Sequence, residues 1–155
     1  MVSVETLVLV LRESKILLAM KKRRFGAGHY NGFGGKVEDG ETLVDCAIRE
    51  TKEEGDIDIL NPEYVGKILF KFLDSDEQDH EMHLYKVLEY EGDVIETEEM
   101  TPAWFDKGGI PFNEMWPDDR YWMPLFLKGK KFTGEFHFTG KEISYVELKV
   151  VESLE

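Results

Sequence analysis

The 155-residue chain has one cysteine, no long apolar run and few basic residues for its size. The single Cys46 excludes an internal disulfide and fits a reducing cytosol, so we expect a cytoplasmic protein. The apolar run from Leu7 to Leu11 is too short to span a membrane and lacks the basic lead of a signal peptide. With 19 Lys and Arg against 32 Asp and Glu, the net charge of -13 argues against binding nucleic-acid polymers. A small nucleotide remains compatible with this charge, because a metal ion and a few local cations can neutralise its phosphates.

The length and the apolar content, 42% of residues, predict one globular domain over residues 1–155. Runs of β-branched and aliphatic residues predict strands, and two segments predict helices. Strands before, between and after two helices indicate a mixed central sheet sandwiched between helices. The predicted strands are Val4–Leu11, Ile16–Met20, Tyr64–Leu73, Glu81–Leu88, Ala103–Phe105, Phe132–Phe138 and Ile143–Val150, and the predicted helices are Glu41–Glu54 and Trp116–Lys128.

The most informative stretch is a glycine-rich loop followed by the first predicted helix. The segment from Glu41 to Glu54 contains no Gly or Pro, which predicts about four helical turns. Helical periodicity predicts that one face of this helix is buried. That face contains Leu43, Val44, Ala47, Ile48 and Thr51. The glycines of the preceding loop are Gly32, Gly34, Gly35 and Gly40.

Three carboxylates lie together at the end of this helix. Glu50, Glu53 and Glu54 are spaced i, i+3 and i+4, so they repel one another and favour a nearby cation. Oxygen ligands suit Mg²⁺ or Mn²⁺, which retain free positions for water and substrate phosphates. A solvated acidic helix end explains the spacing equally well, so spacing alone leaves both interpretations open.

The whole segment resembles the Nudix box, Gly-x5-Glu-x7-Arg-Glu-U-x-Glu-Glu-x-Gly-U, in which U is a bulky apolar residue. The matching residues are Gly35, Glu41, Arg49, Glu50, Glu53, Glu54 and Ile57. Thr51 replaces the usual aliphatic residue, and Asp56 replaces the usual glycine. Because Asp tolerates the left-handed conformation, we expect the turn at Asp56 to be retained.

The resemblance extends along nearly the whole chain to the oxidised-purine nucleoside triphosphatase branch of the Nudix hydrolases, the animal-type relatives of MutT. Its most specific segment is Met115-Trp116-Pro117-Asp118-Asp119, supported by the stretches around 6–11, 20–28, 31–37 and 110–112. The resemblance implies an α+β fold of the α/β/α sandwich type that contains the Nudix loop-helix-loop. It also implies hydrolysis of 8-oxo-dGTP, and of 2-hydroxy-dATP as a second substrate, to the monophosphate and pyrophosphate. Such an enzyme sanitises the nucleotide pool, and we expect a monomer that binds neither membranes nor nucleic-acid polymers.

Phosphoryl transfer needs neutralised oxygens and an oriented water, and these needs suggest roles for the acidic residues. Arg49 is expected to pair with a helix glutamate, and Lys21 in the basic cluster 21–24 to contact the phosphates. Glu53, Glu54 and Glu99 remain alternatives for activating the water, and Glu99 is equally well explained as a surface acid. The expected Mg²⁺ ligands are Gly34 through its carbonyl, Glu50, Glu53, Glu54 and Glu99.

A second group of residues is expected to bind the purine. An aromatic wall and hydrogen bonds to the Watson–Crick edge are what such a base requires. Core packing is an alternative role for Trp116, and helix capping is one for the two adjacent acids. We expect these acids to share one proton in a dry pocket. The expected substrate-binding residues are Thr6, Lys21, Phe25, Asn31, Phe70, Trp116, Asp118 and Asp119, whereas the four histidines lack metal-ligand spacing and are assigned to surface or packing roles.

Two other functions remain compatible with the sequence. One is a Nudix enzyme for another diphosphate compound, such as a dinucleoside polyphosphate, a nucleotide sugar or an RNA cap. The other is a non-catalytic nucleotide-binding module, which is disfavoured because every acid of the box is present. Convergence of Asn31, Asp118 and Asp119 on one pocket would favour the purine triphosphatase.

Overall fold

The computed structural model describes residues 1–24 and 26–154. Phe25, one of the expected base-binding residues, lies outside them. Within the described residues there are eleven strands, two α-helices and one 3-10 turn at Phe112–Glu114. The strands are β1 (Val2–Arg12), β2 (Lys15–Lys21), β3 (Tyr30–Asn31), β4 (Phe33–Lys36), β5 (Asp58–Leu60), β6 (Glu63–Phe72), β7 (Asp79–Val87), β8 (Glu89–Glu91), β9 (Met100–Asp106), β10 (Lys131–Thr139) and β11 (Glu142–Val151), and the helices are α1 (Leu43–Gly55) and α2 (Asp119–Leu127).

Nine of the described strands form one mixed sheet. Its order is β11-β10-β6-β7-β1-β2-β3, with β4 paired to β1 and β9 paired to β2. The β1–β7 and β6–β10 pairs are parallel, and the other pairs are antiparallel. This confirms the expected mixed sheet, and the two remaining strands, β5 and β8, pair separately.

The centre of β1 is buried on both faces, because each face supports its own core. Side chains alternate along a strand, so one face of β1 packs towards α2 and the other towards α1. Burial of the continuous apolar run in β1 therefore follows from a helix on each side of the sheet. The α2 core includes Leu7, Leu9, Trp122, Phe126, Phe132 and Phe136, and the α1 core includes Val8, Val10, Phe33, Ala47 and Ile57.

Helix α1 has well-formed ends. The Thr42 hydroxyl accepts the Asp45 backbone N–H at its start. Asp56 has φ 59° and ψ 30° at its end and donates its N–H to the Lys52 carbonyl. The expected left-handed turn at Asp56 is confirmed, so this departure from the Nudix box leaves the helix end intact.

The buried face of α1 is rotated from the predicted one. Val44 is 40% exposed, so its assignment to the buried stripe is wrong. Cys46 and Glu54 are buried instead, together with Ala47 and Thr51. Apolar periodicity misses Glu54 because a hydrogen bond to the loop, described below, compensates for burying this carboxyl.

The other differences concern short elements. Helix α2 starts at Asp119, three residues later than predicted, because 116–118 form the turn that precedes it. Strands β3, β4, β5 and β8 were not expected; β4 contains two glycines and is stabilised by pairing with β1. Neither of the two helices that the structure describes has the length and apolar character needed to cross a bilayer.

Candidate active site

Two glycines allow the loop strand β4 to lie tightly between β1 and α1. Gly34 and Gly35 lie opposite Leu7 and Thr6 in the antiparallel pair. A Cβ at Gly34 would lie 1.9 Å from the Thr6 carbonyl oxygen, and a Cβ at Gly35 would lie 2.5 Å from the Glu50 Cδ atom. Glycine is therefore required for this approach of strand and helix.

Glu54 occupies the most buried acidic position of α1. Its side chain is almost completely enclosed, and Oε1 accepts the Gly34 backbone N–H at 2.9 Å. Burial raises the Glu54 pKa to about 8, the Gly34 hydrogen bond opposes this rise, and the charge of Glu50 adds to it. Burial also raises the pKa of Glu50, whereas Glu53 has 56% of its side chain exposed.

Arg49 organises the carboxylates around it. Its Nε and Nη2 donate to the two Glu41 carboxylate oxygens at 2.7 and 3.0 Å, and its Nη1 donates to Glu50 Oε1 at 2.7 Å. The Arg49 hydrogen bonds hold the pKa of Glu41 at about 2. Glu53 is farther away, with its Oε2 atom 3.4 Å from Nη1. The expected contact between Arg49 and a helix glutamate is thus present and involves Glu50.

The basic segment 21–24 faces the acidic segment 96–99. Arg23 donates to Glu99 through Nε at 3.0 Å and makes a second contact through Nη2. The Lys22 backbone N–H donates to the Glu99 carbonyl at 2.9 Å, and its ammonium pairs with Glu96. Glu99 is therefore held by a cation, and its contact with Arg23 lowers its pKa.

These acidic and basic segments border a groove of about 880 Å³, which we call the catalytic groove. It contains all the expected catalytic acids, together with Arg49 and the Lys21 expected to contact phosphate. The residues lining it are Lys21, Arg24, Gly34, Gly35, Lys36, Glu38, Arg49, Glu50, Glu53, Glu54, Thr97, Glu98 and Glu99.

The chemistry of this groove suits a hard divalent cation. Glu50, Glu53, Glu54 and Glu99 supply carboxylate oxygens along one wall, as Mg²⁺ and Mn²⁺ prefer. Across residues 1–24 and 26–154, no three His, Cys, Asp or Glu side chains form a ready metal cluster. The carboxylates therefore fit the ion by type and location, but Glu50 and Glu99 are paired with arginines.

A second cavity, of about 100 Å³, lies between the sheet and the start of α2; we call it the base cavity. Asn31, Asp118 and Asp119 all line it, so the three residues expected to read a base edge converge. The remaining lining residues are Glu5, Leu7, Phe70, Phe72, His80, Met82, Trp116 and Phe138.

The adjacent acids of the base cavity are buried, at 5% exposure for Asp118 and 2% for Asp119. Asp118 accepts the Trp122 Nε1–H at 2.8 Å and makes no side-chain capping bond to α2. Asp119 Oδ2 is buried and lacks a hydrogen-bond partner among the described residues. Burial raises the pKa of Asp118 to about 6 and raises that of Asp119 well above its usual range, with the Asp118 charge adding to the second shift. This geometry favours a protonated acid beside an ionised one over two capping carboxylates.

Trp116 lines both the base cavity and a third cavity of about 130 Å³, the middle cavity. Its ring is half-buried and stacks on His29 at 4.7 Å between ring centroids. Asn31 borders both cavities, whereas Lys21 and Glu54 border the middle cavity and the catalytic groove. The three spaces therefore follow one another from the base cavity to the carboxylates.

Thr6, one of the expected substrate-binding residues, is almost completely buried. It lines the middle cavity, but it is 2% exposed, and its hydroxyl lies 3.2 Å from Cys46 Sγ on the α1 side. Cys46 is fully buried, and burial raises the pKa of its thiol.

Sequence reasoning missed three polar residues of these cavities: Glu5, His29 and His80. Strand alternation places Glu5 on the same face as Leu7, but the sequence does not identify that face of β1 as a cavity wall. The position of His80 depends on the parallel pairing of β7 with β1, which local sequence does not reveal. His29 was assigned to a surface or packing role; it packs by stacking on Trp116 and also lines the middle cavity.

Comparisons with known proteins agree with this geometry. The NUDIX domain model matches residues 1–148. The chain is 47% identical to the oxidized purine nucleoside triphosphate hydrolase of Mus musculus, over 96% of this chain and 95% of the relative. It is 46% identical to the protein of that name in Danio rerio, over 95% and 93%. The crystal structure of a MutT protein from Bacillus halodurans superimposes with a TM-score of 0.84 at 26% identity, covering 94% of this chain and 97% of the other.

Proposed function

The chain belongs to the Nudix hydrolase family, and from this we propose that it hydrolyses oxidised purine nucleoside triphosphates, with 8-oxo-dGTP as the leading substrate and 2-hydroxy-dATP as a second. The products would be the nucleoside monophosphate and pyrophosphate. Sanitation of the nucleotide pool would be the biological consequence.

One observation carries the choice of substrate class. The base cavity joins the catalytic groove through the middle cavity, because the middle cavity shares lining residues with each of the other two. A nucleoside triphosphate has the same order of parts: base, sugar and phosphates. The buried acids and aromatic rings at one end suit a purine, and the cations and carboxylates at the other suit metal-assisted phosphate chemistry.

At the phosphate end, we propose that Glu50, Glu53, Glu54 and Glu99, with the Gly34 carbonyl, supply the ligands for Mg²⁺. When bound, the ion would neutralise charge on the phosphate oxygens. Lys21 borders both the middle cavity and the catalytic groove, where its ammonium can meet the polyphosphate.

Arg49 holds Glu41 and Glu50 in place and so limits the rotamers of the helix acids. We propose that Glu53 orients the attacking water, because its side chain is the most exposed of the three α1 carboxylates and lies in the catalytic groove. Glu54 is enclosed and tied to Gly34, which suits a ligand of fixed position.

At the base end, Asp118 and Asp119 face the Watson–Crick edge, and Trp116 and Phe70 provide aromatic walls. A protonated acid donates to a base carbonyl, and its ionised neighbour accepts from N–H groups. Asn31 uses its side-chain oxygen to accept the Gly32 N–H, which leaves its NH₂ group to donate to a substrate acceptor.

The test is a nucleotide panel assayed for pyrophosphate release with Mg²⁺ and with excess chelator. It contains 8-oxo-dGTP, 2-hydroxy-dATP, the four normal triphosphates, a dinucleoside polyphosphate, a nucleotide sugar and a capped RNA. We expect Mg²⁺-dependent release that is fastest with an oxidised purine. Faster turnover of the dinucleoside polyphosphate, nucleotide sugar or cap would refute the assignment.

A further inference from the structure

Glu5 and His80 form a part of the base cavity wall that has not been given a role so far. Alternation along β1 places Glu5 on the face of Leu7, whereas Thr6 faces Cys46 on the other side. In the parallel pairing of β1 and β7, Glu5 lies opposite Met82. His80 precedes Met82 by two residues on β7, so it lies on the same face as Glu5.

Hydrogen bonds orient the Glu5 carboxylate. His80 Nδ1 lies 2.6 Å from Glu5 Oε2, and the Ser3 hydroxyl donates to the same oxygen at 2.9 Å. His80 Nε2 lies 2.8 Å from Glu77 Oε1. The bond to Glu5 is the main reason that the pKa of His80 is raised, with Glu77 adding to it and burial opposing it. Because both contacts to Glu5 use Oε2, Oε1 can accept a further hydrogen bond.

The cavity walls define which part of a purine would meet Glu5. Asp118 and Asp119 border the base cavity but not the middle cavity, so they lie at the end away from the middle cavity. Glu5, Asn31 and Trp116 border both the base cavity and the middle cavity, so they lie where the base joins the sugar. A purine with its Watson–Crick edge on the two acids turns its five-membered ring towards the middle cavity.

We propose that Glu5, positioned by His80, recognises the oxidised edge of 8-oxopurines by accepting the N7–H hydrogen bond. This inference rests on the proposed function and extends it to the choice between damaged and normal bases. Oxidation at C8 converts N7 from an acceptor into a donor. Unmodified guanine would present the N7 lone pair to a carboxylate, which repels it, so the same contact selects the damaged base and rejects the normal one.

His80 contributes a second part of the match. A protonated imidazole beside Glu5 places positive charge next to the carboxylate that accepts N7–H. In 8-oxoguanine the C8 carbonyl lies next to N7–H, so the positive charge lies beside the carbonyl when Glu5 accepts N7–H. Asn31, at the same end of the cavity, can donate to the acceptor N3 on the other side of the purine. The oxidised form of adenine that carries its oxygen at C2 has no N7–H, so Glu5 should give it no advantage.

The test compares wild type with Glu5→Gln in the binding of 8-oxo-dGMP, dGMP and 2-hydroxy-dAMP by calorimetry. These monophosphates lack the polyphosphate, so binding reports on the base without turnover. In Glu5→Gln, the amide can donate to guanine N7. We expect affinity for 8-oxo-dGMP to fall by at least about tenfold, and affinity for dGMP and 2-hydroxy-dAMP, which both present an acceptor N7, to remain or rise.

Glu77→Gln is the matched control, since Glu77 also contacts His80 but does not line the base cavity. We expect it to retain at least most of the wild-type preference. Equal weakening of all three ligands by Glu5→Gln would overturn the proposal and assign Glu5 to the sugar, and unchanged binding would overturn it as well. A wild type that binds dGMP as tightly as 8-oxo-dGMP would also refute it. If wild type binds 8-oxo-dGMP selectively but hydrolyses no triphosphate, the proposed function fails and the inference about Glu5 stands.

Discussion

Replacing Asp118 with asparagine should make the protein less sensitive to pH. The substitution keeps the side-chain shape and an oxygen that accepts the Trp122 Nε1–H bond, but it removes a buried titratable group. The wild-type pKa rises from the ordinary 3.8 to about 6 because the carboxyl is buried. Ionising it in the folded protein is therefore unfavourable.

The sign and size of the effect follow from linkage. A raised folded-state pKa means that the contribution of the protonated Asp118 to stability is fully present below pH 3.8 and is lost as pH rises through about 6. One pKa unit corresponds to about 1.4 kcal/mol, so the loss amounts to about 3 kcal/mol. The free energy of unfolding of Asp118→Asn, measured relative to that of wild type, should therefore rise by about 3 kcal/mol between pH 4 and pH 7.5.

Urea unfolding of both proteins, followed by tryptophan fluorescence at several pH values, measures this difference. Glu114→Gln serves as the control, because Glu114 is an exposed acid in the turn before α2. The control should show no such trend. A constant difference in unfolding free energy between Asp118→Asn and wild type across this pH range would refute the argument that the buried pair disfavours ionisation.

The same variant tests base recognition. An asparagine always presents an NH₂ donor and has no carboxyl proton to share with its neighbour. The two oxidised purines should then no longer be distinguished by the position of a proton shared between Asp118 and Asp119. We expect Asp118→Asn and Asp119→Asn each to change the ratio of kcat/KM for 8-oxo-dGTP and 2-hydroxy-dATP by about tenfold or more. If both variants keep the wild-type ratio at every pH, another group reads the base.

Four further substitutions probe the catalytic groove. Glu53→Gln and Glu54→Gln should each lower turnover by at least about two orders of magnitude without unfolding the protein, as checked by steady-state kinetics and thermal melting; wild-type turnover in excess chelator would contradict the metal-dependent mechanism. Lys21→Ala should raise KM for all triphosphates by similar factors, and a changed ranking of bases would place this ammonium at the wrong end of the substrate. Gly34→Ala should lower the melting temperature, because the added Cβ would lie 1.9 Å from the Thr6 carbonyl oxygen; an unchanged melting temperature would show that β4 shifts without cost.

Local sequence predicts much of the helix in the candidate active site. The spacing of Glu50, Glu53 and Glu54 and the absence of Gly and Pro before them predict a helix with acids on one side. The tolerance of Asp for the left-handed conformation predicts the turn at Asp56, which the structure confirms. These features depend on neighbouring residues alone, because backbone conformation and helical spacing are local properties.

The convergence of the proposed purine-binding residues on one cavity was also predicted in part. The residues Trp116, Asp118 and Asp119 come from one short segment, and the structure places them on one cavity with Asn31 and Phe70. Sequence alone left core packing and helix capping open as roles for these residues. Burial of both acids, and the absence of a capping bond from the Asp118 side chain within the described chain, now favour base recognition.

Only the tertiary structure decided the environment of each charge. Glu54 is buried because Gly34 brings a backbone donor to it across the β1–β4 pair, and its pKa rises for the same reason. Glu5 meets His80 because β1 and β7 are parallel neighbours, although 74 intervening residues separate them in the sequence. Periodicity reports which face of an element is apolar, whereas solvation and charge pairing depend on what the rest of the chain places against that face.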